Sequence, residues 1–89
     1  MMIEFARSLA GHDKGKVYVV TSKEADFVFL SDGDIRKYAN PKKKNIKHVQ
    51  PIKKLPIEVI ETLKDEHLND LKIKRALKLY QELSVSMEE

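Results

Sequence analysis

The chain has 89 residues, 35% of them charged, with 17 Lys and Arg against 14 Asp and Glu for a net charge of +3. That length suits one compact domain with a small core, to which every apolar element has to contribute. The lack of cysteine excludes disulfides and thiol chemistry, and His12, His48 and His67 lack the two-His helical spacing of a zinc enzyme.

"IEFA" opens an apolar alternation at Ile3 and Phe5. "MMIEFARSLAG" has no basic segment followed by a long apolar run, so no signal peptide is expected. No stretch approaches the roughly 20 apolar residues of a membrane helix. A cytoplasmic protein is expected. "GHDKGK" then places two of the chain's three glycines around a charged tripeptide. "KVYVVTS" and "ADFVFLS" follow, rich in β-branched and aromatic residues that fit a pleated, partly buried surface. Asp32-Gly33 reads as a two-residue hairpin turn, with "IRKYA" as its partner strand. Asn40-Pro41 ends that strand, because proline cannot donate to a ladder. A last short strand is expected over about residues 46–50.

Several short strands joined by tight turns within the first half predict a small β-barrel or sandwich. Its expected core is Ile3, Phe5, Val17, Val19, Val28, Leu30 and Ile35. Both faces of "KVYVV" and "FVFL" are apolar, so one outer face needs a cover. The period changes after Leu55-Pro56. Pro56 suits the first position of a helix. A helix over about residues 57–66 would put Ile57, Ile60 and Leu63 near one face. Asn69 or Asp70 is the expected N-cap of a second helix. On it Ile73, Ala76, Leu77, Tyr80 and Leu83 form an amphipathic stripe, opposite Lys72, Lys74, Arg75, Lys78 and Glu82. The stripe either packs on the barrel or meets a partner. "SVSMEE" reads as a frayed tail. The division expected is a barrel over residues 1–54 and a helical extension over residues 55–89.

Charge follows the same division. Residues 1–54 hold 12 Lys and Arg against 6 Asp and Glu, and residues 55–89 hold 5 against 8. The densest run is "PKKKNIKH", with Lys42, Lys43, Lys44 and Lys47, just downstream of Arg36 and Lys37. Like charges on a short segment gain most when a polyanion neutralises them, because each phosphate contact releases counterions. No acid interrupts the run. A solvated loop is the plainer alternative.

"GHDKGK" lacks both the P-loop and the G-x-G-x-x-G spacings, and no helix follows it. Its glycines are expected at positive φ. Asp13 is expected to bond its own backbone as an Asx-turn, with Lys14 and Lys16 projecting from the tip. Catalysis is not expected: His12 and Asp13 are sequence neighbours that point apart, and no nucleophile elbow or paired-carboxylate cleft is legible. Tyr18 or Tyr38 is a candidate to stack on a base, although a strand aromatic is more often core.

"AGHDKGKVYVV" resembles the KOW motif, a β-loop-β unit with a characteristic glycine in its loop. "DGDIRKYANPKKKNIKHVQP" resembles the continuation seen in small bacterial KOW-domain RNA-binding proteins. These are similar to archaeal and eukaryotic large-subunit ribosomal proteins with the same barrel. The resemblance spans about residues 2–53. It implies an SH3-like barrel, so that with the helical pattern of residues 55–89 the expected fold is mainly β, a small barrel followed by one or two short C-terminal helices. It also implies a non-catalytic protein without cofactor that binds RNA, ribosomal RNA or the ribosome above all, with ribosomal proteins as further contacts. A monomer with no membrane association is expected. By position, Gly11, His12, Asp13, Lys14 and Gly15 form the motif loop. Arg36, the Pro41-Lys42 pair, Asn45, Lys47 and His48 match the second segment. Members commonly have arginine where this chain has His12, and glycine where it has Ile3.

The expected RNA-binding edge is thus Lys14, Lys16, Arg36, Lys37, Lys42, Lys43, Lys44, Asn45, Lys47 and His48. Lysine and arginine would hold phosphates, and Asn45 and His48 would reach bases or sugars, since both donate and accept. The family alone favours RNA over DNA. The alternative is a protein-interaction module that docks on a transcription or translation assembly through the barrel or the C-terminal helix.

Overall fold

The computed structural model describes residues 4–64 and 68–87, with side chains through residue 84. Five strands, β1 (Glu4–Ser8), β2 (Val17–Glu24), β3 (Phe27–Ser31), β4 (Lys42–Asn45) and β5 (Val49–Ile52), form one antiparallel sheet. Its order is β4-β3-β2-β1-β5. A 3-10 turn, Ile46–His48, joins β4 to β5, and two helices follow, α1 (Ile57–Thr62) and α2 (Asp70–Met87). The sheet curls into a half-barrel, as in SH3-like folds with a C-terminal helix. A register shift between Val20 and Ser22 helps the curl, since a bulge bends its strand and raises the twist.

Side chains alternate across a strand, and here both faces are buried. Phe5 and Val19 face outward from the curl and meet Val59, Leu63, Ile73 and Ala76 of the helical segment. Tyr80 of α2 meets Phe5 edge-on, 5.4 Å between centroids. Ala6, Tyr18, Val28, Leu30 and Val49 form the other cluster. β5 and β3 are not neighbours in the sheet, so Val49 reaches Val28 and Leu30 only inside the curl. The two-sided apolarity of "KVYVV" is thereby explained: the cover is helical. Each fully buried Phe, Leu, Ile or Val contributes about 1.5–3 kcal/mol.

Of the expected core, Phe5, Val19, Val28 and Leu30 are buried, Val17 packs against the helix-side cluster, and Ile3 lies outside the described residues. Ile35 is 79% exposed, which corrects its expected place in the core. "IRKYA" forms no strand, and Asp32-Gly33 is not a hairpin turn. Asp32 Oδ1 instead accepts the backbone N–H groups of Asp34 and Arg36, both at 2.9 Å. Ser31 Oγ donates to the Arg36 carbonyl at 2.7 Å. These local bonds coil residues 32–41 into a loop, and β4 starts only at Lys42.

Gly33 does have positive φ, +74°, but for a different neighbour. A Cβ there would collide with the Asp70 carbonyl oxygen and lie 3.1 Å from Lys74 N. Asp70 Oδ1 also accepts the Tyr38 N–H at 2.7 Å. The loop is therefore seated on the start of α2.

The strand expected over residues 46–50 is split into the 3-10 turn and β5. Pro56 caps α1 from outside and is not its first residue. α1 stops at Thr62, short of residue 64; residues 65 and 66, the end of the expected helix, lie outside the described residues, as does His67. Val59 of α1 and Leu63, which follows it, are buried, while Ile57 and Ile60 face outward. Asn69 caps α2, accepting the Lys72 N–H at 2.9 Å. The expected stripe is seen: Ile73 and Ala76 are fully buried, with Leu77, Tyr80 and Leu83 packed beside them. α2 continues through Met87, into the segment expected as a tail. Among the described residues no helix is long and apolar enough to cross a membrane.

Candidate nucleic-acid interface

Gly11 and Gly15 both sit at positive φ, +89° and +91°, as a tight turn requires of this loop. The turn is closed by Lys14 N–H on the Gly11 carbonyl at 3.2 Å and Lys16 N–H on the Asp13 carbonyl at 2.9 Å. The Asp13 side chain makes no Asx-turn. It points into the end of the barrel, where Ser8 Oγ donates at 2.8 Å, Tyr18 Oη at 2.7 Å, Lys42 Nζ at 2.8 Å and Lys44 Nζ at 2.9 Å. Lys44 Nζ also donates to Ser8 Oγ and the Ala10 carbonyl, at 2.6 and 2.7 Å.

The register explains why two lysines turn inward. Lys42 pairs with Leu30 and Lys44 with Val28, and directly opposed residues share a face. Leu30 and Val28 lie inside the curl, so Lys42 and Lys44 do too. The intervening Lys43 points to the other face, its Nζ 4.3 Å from the Phe27 ring centroid, a cation–π contact. The lysine run is therefore not uncompensated, as its sequence suggests. Burial alone would raise the Asp13 pKa; the hydrogen bonds from Lys42, Lys44, Tyr18 and Ser8 outweigh it and hold the carboxyl well below its ordinary range. Burial, then the adjoining Asp13 carboxylate, pushes the Tyr18 hydroxyl far up. Tyr18 is 2% exposed and so presents no stacking face; Tyr38 is exposed.

A second pair ties the next loop to the first. Lys16 Nζ donates to Asp32 Oδ2 at 2.5 Å and lies 5.1 Å from the Tyr18 ring centroid. Lys16 thus does not project freely. Burial would raise the Asp32 pKa, but Lys16 and the Asp34 and Arg36 N–H groups together lower it. Asn45 caps the 3-10 turn, its Oδ1 accepting the Lys47 N–H at 2.9 Å. His48 passes its carbonyl to the Leu9 N–H at 2.8 Å.

The Lys16–Asp32 pair joins residues 9–16 to residues 32–41, and the Leu9–His48 bond joins residues 9–16 to the 3-10 turn, whose Ile46 N–H also donates to the Asp26 carbonyl of the β2–β3 turn at 2.8 Å. His12, Lys14, Arg36, Lys37, Lys47 and His48 are exposed on these three segments. Lys14, Lys37 and Lys47 have no side-chain partner among the described residues. Lys42 and Lys44 are instead structural in their bonding, and Lys16 is paired.

Three cations missed by the sequence reading complete the picture. Arg7, Lys74 and Lys78 line a cleft between the barrel and α2, together with Gly15, Lys16 and Asp32. The i, i+4 spacing of Lys74 and Lys78 places them on one helix face, which was legible; that the face borders the motif loop was not. No protein-family model matches the chain, and no curated protein matches it.

Proposed function

We propose that this is a non-catalytic RNA-binding module of the KOW type, working in the cytoplasm on ribosomal RNA or the ribosome. The observation that carries the reading is the set of exposed cations, Lys14, Arg36, Lys37 and Lys47, on three segments that the Lys16–Asp32 pair and the Leu9–His48 bond tie together. The loops that bear Lys14, Arg36 and Lys37 are fixed from within by Asp13 and Asp32, and Asn45 caps the turn that bears Lys47. A backbone held in place has no loop-ordering cost left when its cations meet a phosphate backbone. Lys43 and His48 are exposed as well, and the motif resemblance names RNA as the polyanion.

Crosslinking in cells, followed by sequencing of the attached RNA, tests the reading. Ribosomal RNA should be recovered, and less of it with Lys14→Glu/Lys47→Glu. Recovery of no RNA above background contradicts the reading. A second reading, docking on a protein of the translation assembly, draws on the exposure of Ile35 and Leu71. They lie on two segments joined by the Tyr38–Asp70 hydrogen bond. Ribosome association that survives the charge reversal but is lost with Ile35→Ser/Leu71→Ser would favour it.

A further inference from the structure

The cleft between the barrel and α2 has a volume of about 510 Å3, within the size range of small-ligand sites. Val17 on β2 and Leu77 and Tyr80 on α2 give it an apolar wall. Arg7 on β1 and Lys74 and Lys78 on α2 supply cations. None of the three has an ion-pair partner among the described residues. Lys16 and Asp32, also in the lining, neutralise each other. Asp34 adds one carboxylate without a partner among the described residues. Gly15 opens the cleft toward the motif loop: a Cβ there would meet nothing within 4 Å.

The lining suits an occupant that carries negative charge, a flat apolar body and hydrogen-bond donors. A nucleotide has all three features. A base inside a duplex cannot enter, because its faces are stacked and its edge is paired, whereas a single-stranded base can be splayed out. Two adjacent carboxylate oxygens match two adjacent N–H donors. Guanine offers these on its Watson–Crick edge, and uracil offers one N–H between two carbonyls.

We propose that the cleft holds one unpaired nucleotide, preferably guanosine, of a single-stranded RNA segment. Its base lies against Val17, Leu77 and Tyr80, its edge donates to Asp34, and its phosphates meet Arg7, Lys74 and Lys78. This rests on the RNA-binding reading and adds a defined subsite to it.

The test is a fluorescence-anisotropy titration of the full chain with a labelled single-stranded hexanucleotide carrying one central guanine. The same strand with uracil in that place, its annealed duplex, and guanosine monophosphate as competitor complete the set. The guanine strand should bind about tenfold tighter than the duplex, given what stacking of one base is worth. Lys74→Glu/Lys78→Glu should weaken it about tenfold or more, through two lost phosphate contacts. Lys64→Glu, an exposed change away from the cleft, should not. Asp34→Asn should remove the preference for guanine over uracil. All these positions are exposed, and unchanged thermal unfolding checks that the variants fold.

Equal affinity for strand and duplex overturns the proposal. So does an unaffected Lys74→Glu/Lys78→Glu variant when Lys14→Glu/Lys47→Glu is weakened; that outcome leaves the RNA reading standing. Binding of guanosine monophosphate without binding of any strand makes a free nucleotide the occupant and overturns it too. A wild-type chain that binds no RNA removes both readings.

Discussion

The Asp13 carboxylate meets Lys44 Nζ at 2.9 Å across 31 positions of sequence, which fixes the motif loop against the edge strand of the sheet. With Lys42 and Lys44 from β4, Asp13 ties the open side of the half-barrel where no strand ladder does. The side chains of Asp13 and Lys44 are only 12% and 10% exposed. Taking such charges out of water is costly unless they are paired, and four donors converge on this carboxylate.

Asp13→Asn keeps the shape and removes the charge. It leaves two lysines facing the barrel interior without a counter-ion. Breaking a buried pair from one side costs about 3–5 kcal/mol, somewhat less where Lys42 still reaches water. Urea unfolding should therefore lose about 3 kcal/mol. Asp13→Asn/Lys42→Met/Lys44→Met should recover at least half of that, since an apolar replacement leaves no orphaned charge. Equal stability of Asp13→Asn and wild type would contradict the account.

Acid should destabilise the fold through the same group. The folded-state pKa values of Asp13 and Asp32 are both lowered from the ordinary 3.8. Below an unfolded chain's carboxyl pKa, the unfolded state takes up protons that the folded state refuses. The stabilisation is thus complete above about pH 5 and is lost progressively as pH falls through 3.8 and below. Unfolding free energy measured from pH 7 to pH 2 should drop more steeply in wild type than in Asp13→Asn. Parallel curves would remove Asp13 from the explanation.

Gly33 carries the contact between the β3–β4 loop and α2. Gly33→Ala adds a methyl group into the Asp70 carbonyl and enforces a positive φ on a residue with a side chain. The backbone conformation alone costs about 1–3 kcal/mol, and the collision adds to it. A lowered melting temperature is expected, with RNA affinity reduced where Arg36 and Lys37 are displaced. A melting temperature equal to wild type would mean that the loop is not seated on α2.

Much of the fold is legible in the residues. The amphipathic stripe from Ile73 to Leu83, the Asn69 cap and the two-faced strands each follow from local pattern, and each has its expected structural role. The misses are long-range. Asp32-Gly33 has the composition of a hairpin turn, but Ser31 and Asp32 satisfy the loop backbone locally, and Gly33 serves a helix far along the chain. Asp13 in a glycine turn suggests a local Asx bond, yet its donors are Ser8 and Tyr18 of the flanking strands and Lys42 and Lys44 of β4. The run of three lysines reads as one basic patch. Only the period-2 alternation, given a strand there, would have separated Lys42 and Lys44 from Lys43. The cleft needed the packing of α2 on the barrel, which no sequence spacing specifies.

The central claim is that exposed Lys14 and Lys47 meet RNA phosphates while Lys42 and Lys44 hold the barrel closed. The salt dependence of RNA affinity tests it most directly. Each phosphate contact on a single strand contributes about −0.7 to the slope of log K against log salt. Lys14→Ala/Lys47→Ala should therefore flatten the slope by roughly 1.4 if each lysine makes one contact, with thermal stability unchanged. A slope identical to wild type would contradict the account.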